Sequence, residues 1–288
     1  RVAMAGAGMA NHAEYNVVPR NLVASIPEGV SNDAAAFGTV GAIALHAVRN
    51  AKPEIGDVVA VLGCGLIGQM VMRLLTISGC RVVALDYNPT RLELASALGA
   101  EWALDLSGNG IEEAVREATA GRGADSVVIA AATESSEPFE RAASIARDRA
   151  RVVMVGMTGT AFPYAEFMKK ELKIVISRSY GPGRYDDDFE TRGVKYPVGW
   201  VRWTETDNLV EILRLMQPNQ RLQLDVSSLI THRFSLLEVK EAYSLVTSGS
   251  EHLGVLLTYT EDSKILTTPT ITSSRGSTGY CVIGVIGS

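Results

Sequence analysis

Three glycines at fixed spacing stand between an apolar run and a helical pattern, and they constrain the fold more than any other feature of the sequence. Gly63, Gly65 and Gly68 form G-x-G-x-x-G directly after the apolar residues 58–62. Apolar side chains then recur at helical spacing. An acidic residue, Asp86, ends the next apolar run 18 residues beyond Gly68. The order strand, glycine turn, helix, strand and acid predicts a dinucleotide-binding α/β unit.

Apolar runs without alternation recur roughly every 20–25 residues through the middle of the chain, as expected for parallel strands covered on both faces. The predicted strands of this sheet cover residues 58–62, 81–85, 102–104, 126–130, 151–155 and 173–177. Helical patterns lie between them, and Asn88, Pro89 and Gly99 are cap residues of one such helix. Before the sheet, residues 13–18 and 21–26 have the composition of further strands. The pattern predicts an α/β fold with a doubly wound parallel Rossmann sheet of about six strands.

The segments that flank this sheet are too short to form domains alone. We expect residues 1–40 and 179–259 to pack together as one β-rich lobe, and residues 41–178 to form the dinucleotide-binding domain. Residues 260–280 are rich in serine and threonine, which is typical of a linker. Residues 281–288 have the pattern of another strand and glycine turn. Because the chain starts with arginine and stops within that pattern, we interpret it as a fragment of a longer polypeptide.

Composition and charge exclude several other classes of protein. Hydrophobic residues make up 47% of the 288 residues, which is enough for a substantial core. The net charge is −5 and the basic residues are dispersed, so a nucleic-acid partner is not expected. The spacing of Cys64, Cys80 and Cys281 excludes a disulfide scaffold and a cysteine-rich zinc site. Because no long apolar run and no signal peptide are visible, we expect no membrane partner and a cytoplasmic location.

The glycine motif predicts how a dinucleotide is held. Gly63 permits a tight turn, Gly65 lets the main chain approach a pyrophosphate, and Gly68 allows the helix to pack closely on the strand. The helix that follows offers free N–H groups at Leu66 and Ile67 and the positive end of its dipole.

The acid at the end of the second strand predicts the choice of cofactor. Asp86 is placed to accept hydrogen bonds from the adenosine ribose, and its charge would repel a 2′-phosphate. Arg91 is a counter-signal, because a nearby arginine can accept that phosphate. Since Asp86 stands at the strand end itself, NAD is favoured over NADP. A glycine turn without a ligand and a methyltransferase-type fold are the alternatives, and Gly68 and the sixth strand argue against the second.

Several segments together resemble one family. These segments are similar to the medium-chain dehydrogenase/reductase superfamily, which includes the zinc-type alcohol dehydrogenases, and they cover residues 13–15, 18–19, 26–30, 34–36, 44–47, 56–63 and 241–243. The resemblance covers about residues 1–258. It implies an NAD(H)-dependent enzyme that transfers hydride between nicotinamide and a small alcohol or carbonyl substrate. It also implies that the flanking segments belong to a partial GroES-like catalytic lobe.

A narrower resemblance concerns the segment after the last strand of the sheet. Residues 177–185, 196–197 and 202–205 look like a subgroup in which the dehydrogenase is fused to a Gfo/Idh/MocA-type oxidoreductase domain. Residues 281–288 would then begin that second domain, and the substrate would be a sugar or polysaccharide precursor. A non-catalytic NAD-binding module that serves the fused domain is the alternative function, and methyl transfer is a third.

The resemblance carries roles onto individual positions. Beyond the glycine turn, it places Ala130 and Ala131 on the adenine side of the cofactor. The implied cofactor contacts are Gly63, Gly65, Leu66, Ile67, Gly68, Asp86, Arg91, Ala130, Ala131, Val155, Gly156, Ser177, Arg178 and Ser179. The last five of these are expected beside the nicotinamide.

The chemical residues are less sharply predicted. Tyr180 and Arg184 are the candidate catalytic residues, because they follow the last strand at the carboxyl end of the sheet. Tyr185 and His46 are further candidates for proton transfer, and we interpret His46 as a packed residue. The resemblance puts a zinc ligand where this chain has Thr39, a poor ligand, so we expect no catalytic zinc. It also implies a homodimer through the last strand of the sheet.

Overall fold

The computed structural model describes residues 1–13, 15–218 and 222–259, so the predicted linker 260–280 and the segment 281–288 lie outside the described residues. The strands are β1 (Val2–Met4), β2 (Val23–Ser25), β3 (Val58–Leu62), β4 (Arg81–Asp86), β5 (Trp102–Asp105), β6 (Ala124–Ile129), β7 (Ala146–Met154), β8 (Lys173–Ile176), β9 (Ile230–Ser235) and β10 (Gly254–Thr258).

Helices separate most of these strands. The α-helices are α1 (Asn32–Ala35), α2 (Gly38–Ala51), α3 (Leu66–Ile77), α4 (Pro89–Ala97), α5 (Ile111–Ala118), α6 (Glu137–Ile145), α7 (Tyr164–Lys169), α8 (Asp187–Glu190), α9 (Glu205–Leu215) and α10 (Val239–Thr247). Short 3-10 helices cover Arg20–Leu22, Ser227–Leu229 and Leu236–Glu238. None of the helices in the described parts of the chain is both long and apolar enough to cross a membrane.

A six-stranded parallel sheet forms the centre of the molecule, with the order β5-β4-β3-β6-β7-β8. The predicted doubly wound fold is therefore confirmed. The chain builds outward from β3 to β5, returns to the middle, and then builds outward in the other direction from β6 to β8. Ligands of such open sheets bind beyond the carboxyl ends of the strands where the order reverses. That switch point lies between β3 and β6.

The central strand β3 shows why the sheet needs helices on both faces, because all five of its residues are buried. Val59 and Val61 belong to one hydrophobic core with side chains of α2, α3 and α9. Val58, Ala60 and Leu62 belong to the opposite core, with side chains of α5, α6 and α7. A strand covered on both faces needs apolar residues at every position, which explains the continuous run in the sequence.

Local capping sets where individual helices begin. The Asn88 side chain accepts a hydrogen bond from the Arg91 amide at 3.2 Å, and Pro89 occupies the first turn of α4, as predicted. Helix α9 starts with a capping box, in which the side chains of Thr204 and Asp207 each accept a hydrogen bond from the other's amide.

The flanks form two small, separate sheets. β1 pairs antiparallel with β2, and β9 pairs parallel with β10. Both pairs contribute side chains to the core that contains α2, α3 and α9. An ion pair of 2.9 Å between Asp33 and Arg233 links the two flanks. The grouping of the flanks into one GroES-like lobe stays a prediction.

The predicted strand over residues 13–18 is wrong, because the described residues of that segment form no strand. Asparagine side chains close a local loop there. The Asn16 side chain accepts a hydrogen bond from the Asn11 amide at 2.8 Å and donates one to the Asn11 carbonyl at 3.1 Å. These side-chain bonds compete with strand pairing for the backbone groups.

Helices α2 and α9 approach each other unusually closely. A Cβ atom on Gly38 would lie 2.9 Å from Leu209 Cδ1, and one on Gly41 would lie 2.7 Å from Ile212 Cγ2. The two glycines therefore allow the close contact that brings the first turn of α2 near the beginning of α9.

Candidate functional site

A cavity of about 440 Å³ lies at the switch point, beyond the carboxyl ends of β3, β4 and β6. We call it the switch-point crevice. It is lined by Leu62, Gly63, Gly65, Asp86, Tyr87, Arg91, Leu106, Ala130, Ala131, Ala132, Thr133, Glu137, Pro138 and Arg141. Six of the predicted cofactor contacts are among these residues, namely Gly63, Gly65, Asp86, Arg91, Ala130 and Ala131.

The three motif glycines serve different purposes. Gly63 has φ of +98°, and a Cβ atom there would lie 2.7 Å from the Ala131 nitrogen. A Cβ on Gly68 would lie 1.9 Å from the Gly63 carbonyl oxygen. A Cβ on Gly65, in contrast, would meet no protein atom within 4 Å. Gly63 and Gly68 are thus required for packing, whereas Gly65 keeps space open in the crevice.

The beginning of α3 presents unpaired backbone donors. The first hydrogen bond of the helix runs from the Gln69 amide to the Gly65 carbonyl at 2.9 Å. The N–H groups of Leu66, Ile67 and Gly68 precede it and have no acceptor within the helix. Together with the helix dipole they favour a bound anion such as a pyrophosphate.

Asp86 is held rigidly at the edge of the crevice. Its Oδ2 accepts the Cys64 amide at 2.6 Å and its Oδ1 accepts the Asn88 amide at 2.9 Å. The carboxylate is 9% exposed. Because each carboxylate oxygen can accept more than one hydrogen bond, capacity remains for the two hydroxyl groups of a ribose.

A buried glutamine connects the glycine turn to the arginine in the crevice. Gln69 Nε2 donates to the Cys64 carbonyl at 3.1 Å and to the Arg91 carbonyl at 2.8 Å. The Arg91 Nε atom is buried and has no hydrogen-bond partner within residues 1–13, 15–218 and 222–259. Gln69 therefore fixes the first turn of α4, from which Arg91 reaches the crevice.

The sequence analysis missed the opposite wall of the crevice. Tyr87 Oη donates to Glu137 Oε2 at 2.9 Å, and this bond raises the pKa of Tyr87. Arg141 pairs with Glu112 at 2.6 Å and lies 3.6 Å from Glu137. The strand order could have indicated this wall, because the segment 130–138 follows β6, the strand that pairs with β3 at the switch point.

The residues predicted beside the nicotinamide do not line this crevice. The backbone of Gly156 lies directly against the Ala130–Ala131 segment, because a Cβ atom added to Gly156 would lie 1.9 Å from the Ala131 carbonyl oxygen. Val155, Ser177, Arg178 and Ser179 lie along the same edge of the sheet, beyond β7 and β8. Ser177 is buried and Arg178 is exposed. The residues predicted on the adenine side of the cofactor thus line one cavity, and the residues predicted beside the nicotinamide lie outside it.

A second group of polar side chains lies beyond β8, and we call Tyr180, Arg184, Glu190 and Glu205 the Tyr180–Glu205 cluster. Arg184 Nη1 binds both carboxylate oxygens of Glu190, at 2.8 and 3.0 Å. The Arg184 guanidinium carbon lies 5.7 Å from the centre of the Tyr180 ring. The structure therefore brings together the two predicted catalytic residues, and it adds two glutamates that the sequence analysis did not identify.

Glu205, the first residue of α9, is the most unusual member of the cluster. It is 2% exposed, and in the described parts of the chain neither carboxylate oxygen has a hydrogen-bond partner. Burial, followed by the negative charge of Glu190, raises the pKa of Glu205 to about 8. Burial also raises the pKa of Tyr180 to about 12. Both side chains therefore carry a proton at neutral pH.

Thr39, at the position where the family resemblance expects a zinc ligand, faces the same small cavity as Tyr180 and Glu205. Its hydroxyl donates to the Met4 carbonyl at 3.2 Å. Over the described ranges, no group of three or more His, Cys, Asp or Glu side chains is placed to hold a metal ion. These residues do not fit a zinc ion.

His46 lies on the same helix as Thr39. Burial, and then the positive charges of Arg49 and Arg178, lower the pKa of His46 to about 4. Its ring Nε2 lies 3.2 Å from the Asn50 amide nitrogen. The imidazole is therefore neutral and held by its own helix, which agrees with its interpretation as a packed residue.

Sequence comparison relates the chain to dehydrogenases. Residues 67–192 match the family described as "Zinc-binding dehydrogenase". Erythritol/L-threitol dehydrogenase of Mycolicibacterium smegmatis is 28% identical over 247 residues, which are 85% of this chain and 61% of that protein. Sorbitol dehydrogenase of Halalkalibacterium halodurans is 25% identical over 251 residues, which are 85% of this chain and 64% of that protein.

Solved structures share the fold. Alcohol dehydrogenase from Thermus sp. ATN1 matches with a TM-score of 0.67 and 23% identity, over 83% of this chain and 61% of that one. An Escherichia coli alcohol dehydrogenase, described as complexed with NADH, matches with a TM-score of 0.66 and 26% identity, over 84% of this chain and 64% of that one. The chain thus spans roughly three-fifths of the length of these relatives.

Proposed function

We propose that the chain is an NAD(H)-dependent oxidoreductase of the zinc-type medium-chain alcohol dehydrogenase family, to whose members it is similar over most of its length. Hydride moves between the nicotinamide and an alcohol or carbonyl carbon of a small-molecule substrate. The observation that supports this most strongly is the switch-point crevice, where the N-terminus of α3, the open space at Gly65 and the carboxylate of Asp86 converge.

The crevice accommodates the adenosine half of the cofactor. The pyrophosphate rests on the N–H groups of Leu66 and Ile67, and the ribose hydroxyls bind Asp86. Arg91 lies beside that ribose. The negative charge of Asp86 supports NAD rather than NADP, because a 2′-phosphate would lie against a carboxylate already fixed by two amides.

The nicotinamide half extends from the crevice along the carboxyl edge of β7 and β8. Val155, Gly156, Ser177, Arg178 and Ser179 are the residues we assign to it, because they end or follow those two strands. The substrate binds next to that ring. Among the predicted catalytic residues, Tyr180 supplies a hydroxyl group, whereas Arg184 is engaged by Glu190 and acts as a positioning residue.

The names of the relatives support a polyol, or the carbonyl compound that corresponds to it, as the substrate class. A sugar or polysaccharide precursor, and a fused Gfo/Idh/MocA-type domain, rest only on the resemblance of residues 177–205. A homodimer through β8 is supported by the apolar side chains that this edge strand exposes, since Ile176 is 66% exposed. A cytoplasmic location also stays part of the proposal.

Transfer of deuterium from NADH labelled at nicotinamide C4 tests the function. The protein is incubated with labelled NADH and acetoin, L-erythrulose or D-fructose, and the products are analysed by mass spectrometry. We expect a deuterated alcohol with at least one acceptor, and none with Gly65→Val, which blocks the crevice. An absence of NADH binding would contradict the proposal.

NADH binding without transfer would instead favour a second function, an NAD-binding module without turnover. The observation that favours this alternative is the poor fit of the described residues to a zinc ion. Binding of S-adenosylmethionine but not NADH in a thermal-shift assay would select methyl transfer.

A further inference from the structure

The Tyr180–Glu205 cluster contains two buried donors that no other group in the described chain satisfies. We propose that the Tyr180 hydroxyl and the Glu205 carboxyl bind the oxygen of the substrate carbonyl as a pair of neutral hydrogen-bond donors. This inference rests on the proposed oxidoreductase function and names the groups that polarise its substrate.

The first observation is the shared cavity. Tyr180 and Glu205 line one small cavity together with Thr39, and the exposed fractions of the two donors are 6% and 2%. The Tyr180 hydroxyl and both Glu205 oxygens have no partner within the described ranges. The cavity is closed around them in this conformation. Leaving such groups unpaired is unfavourable and calls for a functional reason.

The second observation is the balance of charge. Two carboxyl groups, Glu190 and Glu205, are buried near one guanidinium, that of Arg184. Arg184 binds Glu190 through both of its oxygens, which leaves Glu205 without a counterion of its own. Arg178 and Asp186 are the other charged groups that act on Glu205, and their charges have opposite signs. A neutral carboxyl is therefore the stable form, and a neutral carboxyl is a donor.

The third observation is the conformation of the loop that carries Tyr180. Ser179 and Tyr185 have φ of +47° and +66°, a region that non-glycine residues rarely occupy. Such strain is concentrated at ligand-binding sites. Gly181 and Gly183 also have positive φ, so the segment 179–185 changes direction repeatedly. Binding of a substrate oxygen here requires that this loop move and widen the cavity.

The transfer balances in electrons and protons. A bound NADH would supply hydride to the carbonyl carbon, while the π electron pair of the carbonyl moves to its oxygen. That oxygen takes the proton of Glu205, and the resulting carboxylate regains a proton from solvent when the product leaves and the site opens. Tyr180 holds the same oxygen through its hydroxyl. Preorganised donors in a site without water stabilise the developing negative charge, and a tyrosine beside a protonated carboxylic acid is a suitable pair.

Variants of the two donors test the inference kinetically. Glu205→Gln keeps a hydrogen-bond donor but has no acidic proton, so kcat for acetoin reduction should fall about 100-fold while KM changes little. In the wild type, kcat should decline above pH 8 as Glu205 loses its proton, and this decline should be absent from Glu205→Gln. Tyr180→Phe should lower kcat/KM about 100-fold. Glu211→Gln, at a partly buried carboxylate that is ion-paired with Arg214 on the same helix, is the matched control and should behave as the wild type. Wild-type kinetics in Glu205→Gln and Tyr180→Phe would overturn the inference and leave the proposed function intact.

Infrared difference spectroscopy supplies a readout that does not need turnover. The carboxyl stretching band of protonated Glu205 is identified as the band that Glu205→Gln removes at pH 7. The ketone that the deuterium-transfer experiment identifies as an acceptor, added with NAD⁺, which cannot reduce it, should shift this band because the carboxyl donates to the ketone oxygen. A band that is absent from the wild type, or that this ketone leaves unchanged, would overturn the inference. A shifted band in a protein without hydride transfer would contradict the proposed function alone.

Discussion

The switch-point crevice and the Tyr180–Glu205 cluster lie at the same edge of one sheet, but they are built from different groups. In the crevice, glycines and the amides of a helix N-terminus form the surface, and the Asp86 carboxylate is bonded to two amides. In the cluster, side chains from separate segments meet, and Tyr180 and Glu205 have no partner among the residues that the structure describes. In the proposed cofactor site the carboxylate is thus held in place before a ligand binds, whereas the proposed proton donors have no partner until a substrate binds.

The largest effect that this comparison predicts is on folding. Gly68→Ala places a Cβ 1.9 Å from the Gly63 carbonyl oxygen, and neither backbone can yield without opening the turn. We expect the free energy of unfolding in urea to fall by about 3 kcal/mol or more. Gly65→Ala is the control and should leave it unchanged. A fully stable Gly68→Ala protein would show that the crevice does not depend on backbone contact.

The next effect is on binding alone. Gly65→Val adds a side chain where no protein atom lies within 4 Å, so the fold should tolerate it. The added methyl groups occupy the space of the pyrophosphate, and we expect NADH affinity to fall about 100-fold, or about 2.7 kcal/mol. Fluorescence titration measures the affinity, and thermal unfolding checks that Tm is retained. Unaltered affinity would break the assignment of this crevice to the cofactor.

In the cluster, stability should depend on pH. Burial raises the pKa of Glu205 to about 8 in the folded protein, from an ordinary value of 4.5, so the folded state holds the proton more tightly. The stabilisation is complete below pH 4.5 and is lost as the pH rises through 8. Glu205→Gln cannot ionise and should be more stable than the wild type at pH 8.5 in urea unfolding. Equal pH profiles would show that Glu205 is already charged in the native protein, whereas Glu211→Gln should follow the wild type.

The smallest effect concerns cofactor choice. Asp86→Asn removes the charge but keeps an oxygen that can accept one of the two amides. We expect NADH to bind about tenfold more weakly, which corresponds to about 1.4 kcal/mol, and we expect the affinity for NADPH to fall by a smaller factor. Parallel titrations with both cofactors measure the ratio. If the ratio of the NADH and NADPH affinities were the same as in the wild type, Asp86 would not determine the choice between the two cofactors.

The two regions also differ in how far the sequence could predict them. The crevice depends on residues close together in the chain, so the spacing of Gly63, Gly65 and Gly68 and the strand before them was sufficient. The cluster joins residues that are 25 positions apart, Tyr180 and Glu205, and no local pattern relates them. Tyr180 and Arg184 could therefore be predicted as candidates from the sequence, whereas the two glutamates could not.

Other errors have the same origin. Tyr87 and Glu137 are 50 residues apart and meet only because β4 and β6 flank β3. The strand predicted over residues 13–18 fails because of Asn11 and Asn16, whose side chains make bonds that a hydrophobicity pattern does not register. Periodicity predicts which face of an element is buried, but it does not predict which polar side chains meet across the fold.

The bond between Cys64 and Asp86 has a consequence for anyone who wishes to redesign the cofactor preference. One carboxylate both lines the crevice, where we propose that the ribose binds, and attaches the glycine turn to the end of β4. Exchanging it for glycine or alanine to admit a phosphate would leave the Cys64 amide buried without an acceptor, and would loosen the turn on which the pyrophosphate depends. A switch to NADP in this protein therefore needs a replacement that retains an oxygen at that point, with the positive charge added from α4.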